Sequence, residues 1–448
     1  MGDGSAERRD HSTPGSPRPD RRAGATPLKL IGLAALIGIP AALVASVFLA
    51  VVHWSEHWLW TDLPQSLGHD TPPWYLVVGL PVVGALIVAC ARHLLPGDGG
   101  HRPLDGLRAD TPTPWRHAPG VALAALGTLA FGAILGPEAP LIALGSAVGM
   151  VAVSAARVTD ERSATVLATA GSFSAVSALF GGPLVAGFLL LESGLAAGAA
   201  LMPALLPGLA AAAVGYLLFV GLGDWGGLDA VGITVPDLPT YEGTRLLDLA
   251  LAVVVGVVVA LLVHQVKALA GVIDRVAAAS PRQSVIALLL GGLGVGLLAQ
   301  GAQWLGADHD QVLFSGQSAI PSLLAETSIG VIVLTMTAKA LGYAICLGCG
   351  FRGGPVFPAI FIGVAVAGVA GLLFDASITW ALMVGTAAGM TATSGLVFSS
   401  LLFALMLGGV ANQDAVPAAV LAVIAAWLTI AALRPASGAA VSPGSAAP

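Results

Sequence analysis

From Pro27 to Arg434 the chain is almost entirely apolar, with so few charges that little of it is suited to face water. Hydrophobic residues make up 56 % of the 448 and charged residues 10 %, where a soluble domain carries about 25 % charged residues. A helix crossing the hydrocarbon needs about 20 apolar residues, so the composition is that of an all-α polytopic membrane protein. Apolar segments fall at 28–53, 74–95, 119–135, 140–157, 164–180, 183–193, 198–222, 247–277, 284–305, 328–349, 357–374, 380–395, 397–411 and 415–433. Several are shorter than a full crossing and are entered through Gly/Pro breaks. Interrupted backbone at membrane depth is tolerated only where protein or a water-filled cavity surrounds it.

Two of those breaks are copies of each other. Gly132, Gly136-Pro137-Glu138-Ala139-Pro140, Gly145, Ala147-Val148, Ala170-Gly171 and Phe180 return 218 residues later. The second set reads Gly350, Gly354-Pro355-Val356-Phe357-Pro358, Gly363, Ala365-Val366, Ala388-Gly389 and Phe398. A shared P-x-x-P followed at fixed distances by Gly and by Ala-Gly marks an internal duplication. Paired interruptions in corresponding places of two halves point to a transport site near the bilayer midplane. The halves are assigned to residues 28–222 and 245–434, joined by a polar connection at 223–244. Whether they are parallel or inverted cannot be read from a repeat offset.

Residues 1–27 and 435–448 are rich in Gly, Pro, Ser or Ala without apolar periodicity, which predicts disordered tails. Arg8, Arg9, Arg18, Arg21, Arg22 and Lys29 place the N-terminal end in the cytoplasm by the positive-inside bias. The run from Leu28 to Val52 is too long for a signal-peptide core and reads as a retained helix. A net charge of −6 spread over loops gives nucleic-acid binding no support. Cys346-x-x-Cys349 lacks a second Cys/His pair with metal spacing and reads as two small buried thiols. No metal, cofactor or enzymatic constellation is expected. His53, His57, Trp54, Trp58 and Trp60 read as an interfacial aromatic belt.

The chemistry concentrates at the breaks. Pro140 and Pro358 suit the first position of a new helix, and a helix start offers unpaired N–H groups and about half a positive charge to an anion. Two such starts hold a dehydrated anion without a full positive charge, weakly enough for it to leave. Glu138 is an ionisable residue at that depth, which is functional by default. Its carboxylate is a tethered anion that competes for the same donors and, once protonated, releases them. Arg352 lies in the second break, where it either concentrates anions, pairs with Glu138 or snorkels to an interface, and Lys339 is a further snorkelling candidate.

Leu135-Gly136-Pro137-Glu138-Ala139-Pro140 resembles the G-x-E-G-P motif of the ClC family of chloride channels and proton/chloride antiporters, and Gly353-Gly354-Pro355-Val356-Phe357-Pro358 resembles its G-G-x-F-x-P motif. The similarity extends over residues 96–194 and 345–411. It implies the family's inverted repeat of two helical halves with broken, re-entrant helices, a homodimer with one pore per subunit, and Glu138 as the gating glutamate. Gly99, Gly100, Gly136, Gly354, Val356 and Phe357 fall on the anion-binding segments, and Glu192 falls one residue before the glutamate that passes protons in the antiporters. The departures are equally specific. Gly100 stands where the family has a serine hydroxyl, Pro355 where it has an amide donor, Ser193 at the antiporters' second glutamate, and no tyrosine follows Tyr343.

The resulting expectation is a channel or transporter for chloride or a similar small anion in a bacterial-type inner membrane, with a protonatable gate. Proton-coupled antiport, a transporter of a larger solute and a non-conducting membrane scaffold are the rival readings. A larger solute calls for several polar side chains at the breaks, where the sequence offers mainly Glu138, Arg352, Ser172, Ser174 and Ser177.

Overall fold

The computed structural model describes residues 27–107, 112–195, 201–222, 225–228, 233, 235–236, 238–278 and 280–433. The expected tails at 1–27 and 435–448, apart from Pro27, lie outside the described residues, as does part of the 223–244 connection. The first half contains α1 (Pro27–His57), α2 (Leu63–Ser66), α3 (Trp74–Leu94), α4 (Ala118–Leu129), α5 (Glu138–Ala155), α6 (Glu161–Ser177), α7 (Pro183–Leu190) and α8 (Leu201–Val220). The second contains α9 (Leu246–Ala277), α10 (Pro281–Trp304), α11 (His309–Val312), α12 (Ile320–Ala325), α13 (Ile329–Cys349), α14 (Val356–Phe374), α15 (Ile378–Ser394), α16 (Phe398–Gly408) and α17 (Val416–Leu433). Nine helical segments among the described residues are long and apolar enough to cross a bilayer.

The offset of 218 residues pairs α1 with α9, α3 with α10, α4 with α13, α5 with α14, α6 with α15, α7 with α16 and α8 with α17. The packing repeats too. α5 lies on α6 as α14 lies on α15, and α1 lies on α8 as α9 lies on α17. Across the halves, equivalent elements meet each other: α3 packs on α10 and α7 on α16. Like meeting like is what a two-fold relation produces. The fold is the expected all-α, two-half architecture with broken helices.

Small residues make these contacts possible. A Cβ on Gly171 would collide with the Gly145 carbonyl, and a Cβ on Gly363 with the Gly385 carbonyl, so both repeats press backbone against backbone. Lipid supplies no hydrophobic drive between helices, so close van der Waals approach through small residues carries the association. The helix limits follow the expected segments with two kinds of difference. The segment expected at 119–135 is helical only to Leu129, because the chain then turns at Gly132 (φ +86°), as it does at the repeat-equivalent Gly350 (φ +96°). The short helices α2, α11 and α12 carry too little apolar periodicity to be read from sequence.

Gly171→Val forces α5 and α6 apart, and overpacking of this kind costs about 1–3 kcal/mol. Gly79 in α3 has no atom within 4 Å of a would-be Cβ, so Gly79→Ala is tolerated. Thermal unfolding in detergent followed by size-exclusion fluorescence is expected to show a lower midpoint for G171V and none for G79A.

Candidate functional site

The two breaks meet. The Gly136 N–H donates to the Gly354 carbonyl at 2.7 Å and the Gly354 N–H to the Gly136 carbonyl at 2.6 Å. These glycines are repeat equivalents, so the pseudo-two-fold axis passes between them, and α5 and α14 start side by side from that bridge. Pro137 and Pro355 are the N-caps. Pro140 and Pro358 therefore occupy the third helical position rather than the first. They are still in the first turn, where a missing N–H leaves no hydrogen bond unmade.

Glu138, the first residue of α5, is fully buried and reaches across the axis, with Oε1 accepting from the Val356 N–H at 2.5 Å. Its Oε2 has no hydrogen-bond partner. The carboxylate fills a space that exists only because the neighbouring residues lack side chains: a Cβ on Gly354 or Gly136 would overlap it. The Val356 N–H at the start of α14 thus holds a carboxyl group from the other half. Tyr343, whose hydroxyl donates to the Pro355 carbonyl at 2.7 Å, buttresses the turn from behind. Nothing in the sequence pattern singled it out.

Beside this turn Phe357 stacks on Phe180 with ring centroids 5.6 Å apart, and Phe403 of α16 closes edge-on against Phe180 at 5.3 Å. Glu192 binds the start of α16, the helix that carries Phe403. Its carboxylate accepts from the N–H groups of Val397, Phe398 and Ser399 at 3.0, 2.9 and 2.8 Å and from the Ser399 hydroxyl at 2.5 Å. Ser193 turns its hydroxyl to the Leu190 carbonyl. Two acidic residues of the first half therefore sit on two helix starts of the second.

Arg352 is only 2 % exposed and pairs with the half-exposed Asp98 instead of Glu138, which corrects the pairing expectation. Its guanidinium donates to the Asp98 carboxylate at 2.5 Å and the Asp98 carbonyl at 2.8 Å, and its N–H to the Thr128 hydroxyl at 3.2 Å. Burial alone would push the Asp98 carboxyl up, but Arg352 and Arg92 outweigh it and hold the carboxyl below the usual range. Gly99 packs against the stems of Arg352 and Arg92, and Gly100 against Val121. Gly100 has φ +98°, a conformation that a serine adopts only with strain. Lys339 is fully buried too. Its Nζ donates to the carbonyls of Gln311, Val312, Leu313 and Phe314 at 2.8–3.2 Å. It therefore does not snorkel.

Cys346 and Cys349 are buried thiols, as expected. Trp54 and Trp58 are exposed, whereas Trp60 is buried and donates its indole N–H to the Ala130 carbonyl.

Asp98→Asn leaves the Arg352 cation buried without its carboxylate. With Asp98 itself half exposed, the loss is on the order of 1–3 kcal/mol. Because the folded-state value is depressed, the wild-type pair contributes fully above about pH 4 and its contribution fades as pH falls below that. Unfolding midpoints measured from pH 7 down to pH 3 are expected to drop for the wild type, and D98N is expected to start lower and lack that component.

The comparisons with known proteins agree with this geometry. Residues 102–429 match the family model described as voltage gated chloride channel. A Salmonella schwarzengrund protein described as the ion-transport protein YfeO is 28 % identical over 355 residues, covering 75 % of this chain and 79 % of its own length. The Salmonella newport counterpart of the same description is 28 % identical over 358 residues, covering 76 % and 78 %. Among solved structures, a slow cyanobacterial Cl−/H+ antiporter superposes with a TM-score of 0.73 at 18 % identity, covering 92 % of this chain and 96 % of that one. A CLC-type fluoride/proton antiporter superposes with a TM-score of 0.67 at 20 % identity, covering 90 % and 96 %. Two fused helical repeats with facing broken helices, and a family model spanning most of the membrane region, identify the chain as a member of the voltage gated chloride channel family.

Proposed function

We propose that this membrane protein moves a small inorganic anion, chloride or fluoride in class, past the facing starts of α5 and α14, with Glu138 as a protonatable gate. The observation that carries the reading is the bond from the Val356 N–H to Glu138 Oε1 inside a glycine-lined, fully buried space. With the carboxylate in place, the helix-start donors are taken. Protonation removes its charge and its claim on them, and the side chain gives way to a permeating ion. Gly136, Gly354, Val356 and Phe357 form the ion's seat in this mechanism. Arg352, partnered by Asp98 but with Nη1 lacking a hydrogen bond, acts at a distance as a source of positive potential.

The small-anion reading is favoured over a larger solute by the surroundings. Phe180, Phe357 and Phe403 crowd the site. Ser172, Ser174 and Ser177 spend their hydroxyls on the carbonyls of Ile142, Gly38 and Ser174. Proton-coupled exchange is the second reading, favoured by Glu192 lying on the start of α16, next to the aromatic cluster. The chain is placed in the inner membrane with its N-terminus in the cytoplasm, on the strength of the arginines ahead of α1, and as a homodimer by family analogy. Single-molecule photobleaching in vesicles is expected to show two steps per particle.

Glu138→Gln removes the titratable group and keeps its shape. Anion efflux from proteoliposomes carrying E138Q is expected to be nearly flat with pH where the wild type rises on acidification. Proton movement recorded in the same vesicles separates a channel from an exchanger. A steep pH response that survives E138Q rules the gate assignment out.

A further inference from the structure

Where α1 ends, the loop carrying α11 folds over it and encloses a polar cavity of about 380 Å³. His53, Glu56, His57, Asp308, Asp310 and Gln311 line it. A second, smaller cavity of about 90 Å³ shares His53 and Glu56 with the first and ends on Leu135 and Pro137, the residues leading into Glu138. At about 30 Å³ per water the inner cavity holds roughly three. Glu56 is therefore the acidic residue common to both chambers, and the inner one ends at Pro137, one residue short of Glu138.

The groups facing Glu56 make this an assembly for holding protons. Asp310 lines the same outer chamber as Glu56. His309 is buried between Asp308 at 3.5 Å and Asp310 at 3.3 Å, His57 lies 3.5 Å from Asp62, and His53 stands beside Glu56 in both chambers. The Lys339 ammonium is engaged by the carbonyls of the same loop and turns away from the cavity into the protein. Gln311, 8 % exposed, lines the outer chamber with its Oε1 unpaired, an acceptor waiting for a donor. At the far end Glu138 Oε2 is likewise buried and unpaired.

We propose that Glu56 is a proton-relay residue, passing protons between the outer histidine and aspartate chamber and the Glu138 carboxylate through water in the inner chamber. Protonated Glu56 gives its proton to a water, the water chain delivers one to Glu138 Oε2, and the Glu56 carboxylate recovers a proton from the outer chamber through His53 or bulk water. The inference rests on Glu138 being the gate.

Rapid acidification of proteoliposomes containing the full chain, with anion flux followed by stopped flow, tests it. Loss of a positioned acid–base group slows proton transfer by about a hundredfold or more, so E56Q is expected to delay the acid-triggered rise in flux by that factor. E56D, which keeps the carboxyl, is expected to stay within about tenfold of the wild type. An E56Q response as fast as wild type overturns the relay. So does an E56D response as slow as E56Q, since a structural role predicts that result. An acid response that persists undiminished in E138Q overturns the gate reading and the relay together, whereas a flat E138Q with a fast E56Q removes the relay alone.

Discussion

The pair of backbone hydrogen bonds between Gly136 and Gly354 is the joint on which the site depends. A peptide group that breaks out of a helix inside a membrane has to find a partner in the protein, since lipid offers none. Here each broken segment finds its own repeat equivalent. That solution satisfies both breaks at once and brings two helix starts to one point. It is also why Glu138, on one half, reaches the N–H of Val356 on the other.

The remainder of the structure packs closely around that joint. Glycines at 145, 171, 363 and 385 allow α5 to lie on α6 and α14 on α15 at backbone contact. Phe180, Phe357 and Phe403 occupy the volume beside the helix starts. Hydrogen bonds at the joint are stronger for being shielded from water, and an unpaired polar group there costs correspondingly more. Glu138 Oε2, buried beside the joint, has no hydrogen-bond partner.

The buried charges differ in how they are held. Lys339 fixes the loop from Gln311 to Phe314 by saturating four carbonyls, and Arg352 with Asp98 ties the second break to the loop after α3. Each cation holds a connection that lipid or apolar packing alone would leave loose. Glu192 caps α16 in the same sense. Glu138 differs from all of them in lying among glycines, where a Cβ on Gly136 or Gly354 would overlap its carboxyl group.

Much of this was legible from residue order alone. Near absence of charge demands membrane helices, and a P-x-x-P recurring at fixed offset demands two related halves broken at equivalent places. Glu138 stood out because an acid in an apolar stretch has no cheap explanation. What residue order left open was which distant groups face each other. Arg352 chose Asp98 over Glu138, Lys339 turned inward to carbonyls, Trp60 entered the core, and Gly99 packed against two arginine stems. Those choices depend on the path of loops whose few polar residues carry no periodicity, and on side chains that find partners only once the halves have closed. The linear chain determined a duplicated, interrupted helical membrane protein with an acid at one break; folding decided what that acid touches, because hydrogen-bond partners across the two-fold axis are neighbours in space and strangers in sequence.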